Sequence, residues 1–307
     1  MFERFDIDDK NIYKVCVVAT MSSGKSTFIN AILGEEIMPE KNEACTARTM
    51  AILDNDRASV KKAHIIRKNG TKEVVEIDNK KIMDVINNDA DIVDFLIETN
   101  ILSITNTSKE MMLVDTPGVN NSEDERHGKR TEDFIERMES GLIIYIMNAT
   151  QLATNDDSIL LKTVLKYVEK SCGKLKIIFV VNKIDALDSE TESIADTIDA
   201  TKTYIESCGW KKPIIYPLSA IAAKSLRMML YRKEMTRREL RKMEDIYELY
   251  KPRDNNMISY AVQDDISSES YEISMEKVSA QQLRRAIDNT GITTIEKKIE
   301  DYMRAEE

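Results

Sequence analysis

Residues 15–33 constrain this chain more than any other stretch. Val15, Cys16, Val17 and Val18 form a short β-branched run of the kind that makes a parallel strand covered on both faces. From Ser26 onward, Phe28, Ile29, Ile32 and Leu33 recur at helical spacing. Between them lie Ala19, Thr20, Met21, Ser22, Ser23, Gly24, Lys25 and Ser26. A strand, a loop of small residues ending in Gly-Lys-Ser and a helix together read as a phosphate-binding loop.

Phosphate binding asks for these residue types. Backbone N–H groups along Ser23, Gly24, Lys25, Ser26 and Thr27, with the positive end of the helix, cradle the phosphates. Gly24 lets the backbone approach closely, Lys25 reaches the β- and γ-phosphates, and the Ser26 hydroxyl ligates Mg²⁺. The usual pattern opens with glycine where this chain has Ala19. Alanine is tolerated there at negative φ and strained at positive φ.

A chain of 307 residues with a formal net charge of −10 can bury a large core, but lacks the basic balance of a nucleic-acid binder. A mononucleotide needs only local positive charge. The four cysteines, Cys16, Cys45, Cys172 and Cys208, are scattered and form no metal or redox pattern, which fits a reducing cytoplasm. The acidic N-terminus has no apolar signal region, and the longest apolar runs, 142–147 and 177–181, have the length of strands.

Beyond the first helix, Gly34 and Pro39 break a polar loop that ends in Thr46 and Thr49. Either threonine has the hydroxyl and backbone N–H that a nucleotide-sensing loop needs. Residues 58–75 read as a hairpin turning at Asn69-Gly70. Ile82, Val85, Ile86, Val93, Leu96 and Ile97 fit one face of a helix over 79–100. A second hairpin is expected from 101–105 and 111–114, and it delivers Asp115-Thr116-Pro117-Gly118 at a strand's end. There Asp115 can hold Mg²⁺ through water and the Gly118 N–H can meet the γ-phosphate.

Strand and helix then alternate: a strand at 142–147, a helix at 155–170, a strand at 177–181, a helix from 190 to about 208 and a strand at 214–216. Such alternation means an α/β, doubly wound, mainly parallel sheet with helices on both faces and ligand at the strands' carboxyl ends. Asn182-Lys183-Ile184-Asp185 follows one strand directly. Guanine presents two adjacent donors that one carboxylate accepts, whereas adenine offers an acceptor that would repel Asp185. The Lys183 stem can lie over the base, Asn182 can brace the loops, and Ser219-Ala220 can offer a backbone N–H to guanine O6.

The order and spacing of these elements resemble the dynamin superfamily of large GTPases, bacterial members especially, over nearly the whole chain. The likeness rests on Ser22 to Thr27, Ala44-Cys45-Thr46-Ala47-Arg48, Asp115 to Gly118, the run from Asn148 to Asp157, and Asn182 to Asp185. It implies a P-loop NTPase fold of the extended dynamin type. One GTPase (G) domain would span 1–307, with inserts at about 55–108 and 221–290. It further implies GTP turned over to GDP with Mg²⁺ held by Ser26, Thr46 and Asp115, Thr46 rather than Thr49 being the sensing threonine. G domains would form a homodimer across the nucleotide, the 148–157 loop reaching toward the partner. Membrane lipid would be reached only through regions missing from this chain, giving peripheral membrane association in a longer protein.

Met21 stands where eukaryotic dynamins carry a glutamine that orients the attacking water, and Val119 supplies no substitute. Slow basal hydrolysis is therefore expected, aided by Lys25, Ser22, Thr46, the Gly118 N–H and dimerisation. Two other readings share these motifs: a GTP-dependent binding switch or scaffold, and a ribosome-associated GTPase, which the acidic balance opposes. Residues 219–250 read as helical and basic, through Lys224, Arg227, Arg232, Lys233, Arg237, Arg238, Arg241 and Lys242. Such a run can touch anionic lipid, though interspersed Glu234, Glu239, Glu244 and Asp245 make it read as a solvated face. Residues 253–276 read as a mobile loop, and Thr293 to Glu296 as a capping box for a last helix. That helix ends neatly at the chain's end, as in a domain cut from a longer protein.

Overall fold

A computed structural model describes residues 5, 7, 11–38, 50–79, 82, 89, 91–116, 125–188, 191–231, 233, 237–251, 256–262 and 279–306. Thr46, Thr49, Cys45, Pro117, Gly118 and Val119 lie outside the described residues, as do most of 79–90 and 263–278.

Among the described residues, nine strands form one sheet: β1 (Ile12–Ala19), β2 (Met50–Asp54), β3 (Lys62–Arg67), β4 (Lys72–Glu76), β5 (Ile92–Thr99), β6 (Glu110–Asp115), β7 (Gly141–Asn148), β8 (Leu175–Asn182) and β9 (Ile215–Leu218). Their order is β4-β3-β5-β2-β6-β1-β7-β8-β9. The half from β6 to β9 is parallel, while β2 lies antiparallel to β6 and β3 antiparallel to both neighbours. Every residue of β7 is buried, so the centre of the sheet is covered on both faces. That explains its uninterrupted apolar sequence.

The helices are α1 (Lys25–Leu33), α2 (Glu125–Glu136), α3 (Asn155–Lys170), α4 (Ile194–Ser207), α5 (Ala220–Leu230), α6 (Arg237–Tyr250), α7 (Ala280–Asn289) and α8 (Ile292–Arg304). α1 packs on α5 and α8, with α6 and α7 continuing the same group, while α2 packs on α3. Leu160, Leu161, Val164, Leu165 and Val168 bury the expected face of α3.

Several expectations hold and several do not. The Asn69-Gly70 hairpin joins β3 to β4, with Gly70 at φ 84°. The helix expected over 79–100 is wrong in its second half, because 92–99 is β5. That strand lies between β3 and β2, and six of its eight residues are buried there. The second hairpin is also absent, since β2 separates β5 from β6. Residues 101–109 form turns instead. The Asp54 carboxylate accepts from Ile101 N–H at 2.7 Å, and Asn106 donates to the Asp54 carbonyl at 3.1 Å.

At the C-terminal end, α8 starts at Gly291 with no side-chain cap, and Glu296 turns inward to Arg227 rather than closing a capping box. The capping box is at Ser279 and Gln282, on α7. Three of the basic residues named in 219–250 are not on an open face. Lys224 and Arg227 are buried and paired with Glu36 and Glu296, and Lys233 pairs with Glu35 at 3.0 Å. Within 253–276, the described stretch is packed rather than loose. Met257 is buried, and Val262 and Ile215 exchange backbone bonds of 2.8 Å.

Candidate functional site

The carboxyl ends of β1, β6, β8 and β9 lie along one edge of the parallel half, so the loops that follow them converge. Ala19 closes β1, fully buried and outside the positive-φ residues, so no loop strain falls on it. The turn comes later, with Ser22 at φ 62° and Gly24 at φ 87°. The Thr20 and Ser23 hydroxyls are 2.9 Å apart across it. Met21 stands 49% exposed at its tip, and Ser22 beside it is exposed too.

Helix α1 begins without a side-chain cap, unlike α3, α4, α5 and α7, which all have serine or threonine caps. The Phe28 N–H is the first to bond a carbonyl of the preceding turn, that of Gly24, at 2.9 Å. The N–H groups of Lys25, Ser26 and Thr27 therefore point out of the helix end, where an anion fits. The Ser26 and Thr27 side chains are half-buried there.

Lys25 is buried and its ammonium is paired with the Asp115 carboxylate at the end of β6. Burial pushes the Asp115 carboxyl up, and the Lys25 charge opposes that shift. The geometry brings the lysine of the first motif and the aspartate of the third into direct contact across 90 residues. The next residue, Thr116, is buried and donates to the Val17 carbonyl at 2.8 Å, pinning the start of its segment to β1.

Asn182 closes the other side. Its Nδ2 donates to the Ser23 carbonyl at 2.9 Å, and its Oδ1 accepts from Ala220 N–H at 3.0 Å. One side chain thus clamps the phosphate loop to the loop after β9, the bracing role expected of it. Lys183 follows at φ 65°, a conformation rare outside glycine, and directs the chain into a short 3-10 turn containing Asp185. Asp185 is exposed and has no side-chain bond among the described residues. Its carboxylate is available to a ligand.

The donors assigned to guanine O6 are already engaged within the protein. Ser219 N–H donates to the Thr290 carbonyl at 3.1 Å, and Ala220 N–H to Asn182. The Ser219 hydroxyl accepts from Ala222 N–H as the cap of α5. A base would share the Ala220 donor with Asn182.

Sequence reasoning gave no role to Asn30. Its buried side chain accepts from the Ile37 and Met38 N–H groups and donates to the Met38 carbonyl. That anchors the root of the segment carrying Thr46. Its only sequence signal is a polar residue on the apolar face of α1. In the run from Asn148 to Asp157, Thr150, Gln151, Ala153, Thr154 and Asn155 are exposed. Asp157 instead turns inward and accepts from the Tyr145 hydroxyl at 2.9 Å.

An α/β sheet with an uncapped loop-to-helix turn, a buried Lys–Asp pair and an aspartate-bearing turn beside it defines a phosphate-loop nucleotide-binding domain. Its family is narrower. The dynamin-family model matches residues 15–184, more than half of the chain, and the chain belongs to that family as a GTPase domain of dynamin type. An uncharacterized protein encoded in the xynA 3′ region of Caldicellulosiruptor sp. is 26% identical over 226 residues, covering 69% of this chain and 50% of that protein. A bacterial dynamin-like protein of Nostoc punctiforme is 24% identical over 201 residues, 62% of this chain and 27% of that protein. The chain thus spans half or less of the length of these relatives. Among solved structures, one of an oligomerised bacterial dynamin pair, described as sensing and tethering membranes, superposes with a TM-score of 0.50. It is 18% identical and covers 84% of this chain and 41% of that one.

Proposed function

We propose that this domain binds GTP with Mg²⁺ and hydrolyses it slowly to GDP and phosphate, and that the nucleotide state drives association between two such domains. The Asn182 clamp carries this reading. It ties the phosphate loop to the loop after β9, and the exposed Asp185 carboxylate three residues on would meet the N1–H and the exocyclic amine of guanine. Lys25 would move from Asp115 to the β- and γ-phosphates, and the N–H groups at the head of α1 would receive the phosphate oxygens. The residues fit a metal–nucleotide pair. Asp115 and the half-buried Ser26 flank the uncapped helix end, and an added Cβ at Gly24 would drive into the Asn182 amide at the loop's tightest point. Mg²⁺, when bound, neutralises phosphate charge, with Ser26, Thr46 and water-linked Asp115 as its holders.

Met21, exposed at the tip of the loop, offers no group to orient water, which supports slow turnover by an isolated domain. Ser22 beside it, the Gly118 N–H and the partner domain would supply the remaining help, with the exposed residues of the 148–157 loop available for such contact. The chain of the oligomerised bacterial dynamin pair described as sensing and tethering membranes is longer than this one, so coupling to membranes would act through the rest of a longer protein.

The deciding experiment measures phosphate release from GTP and from ATP, with Mg²⁺, over a range of protein concentrations. GTP-only turnover whose rate per molecule climbs with concentration is the expected result. Equal turnover of ATP would sink the guanine assignment to Asp185. Tight GTP binding with no phosphate release at any concentration would replace the enzyme with a GTP-dependent binding switch, the second reading that Met21 supports.

A further inference from the structure

Among the described residues, β4 is the last strand of the sheet and forms its ladder with β3. Its sequence is Lys72, Glu73, Val74, Val75 and Glu76, and both valines are exposed, Val74 to 57%. In an antiparallel ladder, the backbone groups of alternate residues face the neighbouring strand. Arg67 N–H donates to the Thr71 carbonyl at 3.0 Å and Ile77 N–H to the Lys61 carbonyl at 3.1 Å. Residues 71, 73, 75 and 77 therefore direct their backbone groups at β3. Lys72, Val74 and Glu76 direct theirs away from it, along the sheet's open edge.

Charge on such an edge normally prevents pairing with another chain. Here the charges are complementary about a centre, with Lys72 two residues before Val74 and Glu76 two residues after. We propose that β4 pairs antiparallel with β4 of a second copy of this chain, on a two-fold axis through Val74. In that register Val74 meets Val74, and Lys72 of each copy faces Glu76 of the other. The outward N–H and C=O groups of all three residues then fall into hydrogen-bonded positions. Glu73 faces Val75, so no like charges oppose. Of the neighbouring symmetric registers, centring on residue 73 sets glutamate against glutamate, and centring on residue 75 sets each Glu76 against Val74 instead of a lysine. The correct register also places Glu76 between Lys62, its neighbour on β3, and Lys72 of the second copy. Such a contact is isologous and closes at two copies, making one eighteen-stranded sheet from two nine-stranded ones.

This contact is separate from the nucleotide face and does not rest on the function proposed above. β4 lies five strand spacings from β1, roughly 24 Å at ~4.8 Å each. Sedimentation velocity of the whole chain, run over a wide concentration range without nucleotide and with GDP or GTP, tests it. The expected result is a dimer that grows with concentration whatever the nucleotide. Lys72→Glu or Glu76→Lys should each weaken it by roughly tenfold, since every substitution turns two attractive pairs repulsive. The double variant K72E/E76K restores both pairs and should restore the dimer. Val74→Pro removes an N–H that the β3 ladder does not use, so it should abolish pairing while circular dichroism and GTP binding stay unchanged. A chain that stays monomeric throughout would overturn the proposal, as would single reversals that associate like the parent. A dimer seen only with nucleotide and indifferent to all four variants would overturn it too, while leaving the proposed function standing.

Discussion

At Gly24 a single hydrogen does two jobs. The residue sits at φ 87°, and an added Cβ would collide with the Asn182 side-chain amide. Gly24→Ala should therefore lower stability by about 1–2 kcal/mol through backbone strain. It should also cost at least tenfold in nucleotide affinity by displacing the clamp, as read by denaturant melts and by titration with a fluorescent GTP analogue. That the position demands glycine was legible from the motif, but its closest neighbour, 158 residues further along, was not. Asp54 presents the opposite case, a residue with no sequence signal. It is fully buried, one oxygen accepts from Ile101, and the other has no partner among the described residues. Burial, reinforced by Asp56 and Glu110, pushes its pKa up from the ordinary 3.8 to about 7. The folded chain thus holds a proton that the unfolded chain has lost between those values. The contribution is complete below pH 4 and disappears as pH rises through 7. Asp54→Asn should remove a stability slope of up to about 1.4 kcal/mol per pH unit across that window. Urea midpoints of parent and variant at both ends of the window check this.

At the scale of elements, α3 shows how far local rules reach. Its bounds and its buried face follow from apolar spacing, and Thr154 caps it by accepting from Asp157 N–H at 3.2 Å. Thr154→Ala should cost about 1 kcal/mol in unfolding free energy, measured by chemical denaturation. The same side-by-side reading failed at β5, where Val93, Leu96 and Ile97 fit a helical face as well as they fit a strand. Periodicity cannot separate a buried strand from a buried helix in a short apolar run. What decides is the pairing with β2 and β3, and those partners come from elsewhere in the chain. Glu296 failed for a related reason. A local capping role was open to it, but the buried Arg227 guanidinium offered a charged partner, and a charge-assisted pair is stronger than a neutral cap.

At the scale of the whole molecule, Arg227 and Glu296 join three distant pieces. The guanidinium donates to the Ala31 carbonyl at 2.7 Å, at the negative end of α1, and is paired in bidentate fashion with Glu296 on α8. Both side chains are buried, so removing either leaves an uncompensated charge. Arg227→Met and Glu296→Leu should each cost about 3–5 kcal/mol, and the double variant combining them well under the sum. A double-mutant cycle on unfolding free energies measures that coupling. The amino-acid sequence by itself determined the phosphate loop, the alternation of strand and helix after residue 141, and the hairpin at Asn69-Gly70. All of these are written in residue types a few positions apart, because turn chemistry and helical spacing are local. Only the tertiary structure decided the antiparallel extension of the sheet, the Lys25–Asp115 contact, the reach of Asn182 across two loops and the burial of Arg227. Each of these pairs groups separated by tens to hundreds of residues. Their energy comes from excluding water around both partners at once, which no single stretch of sequence records.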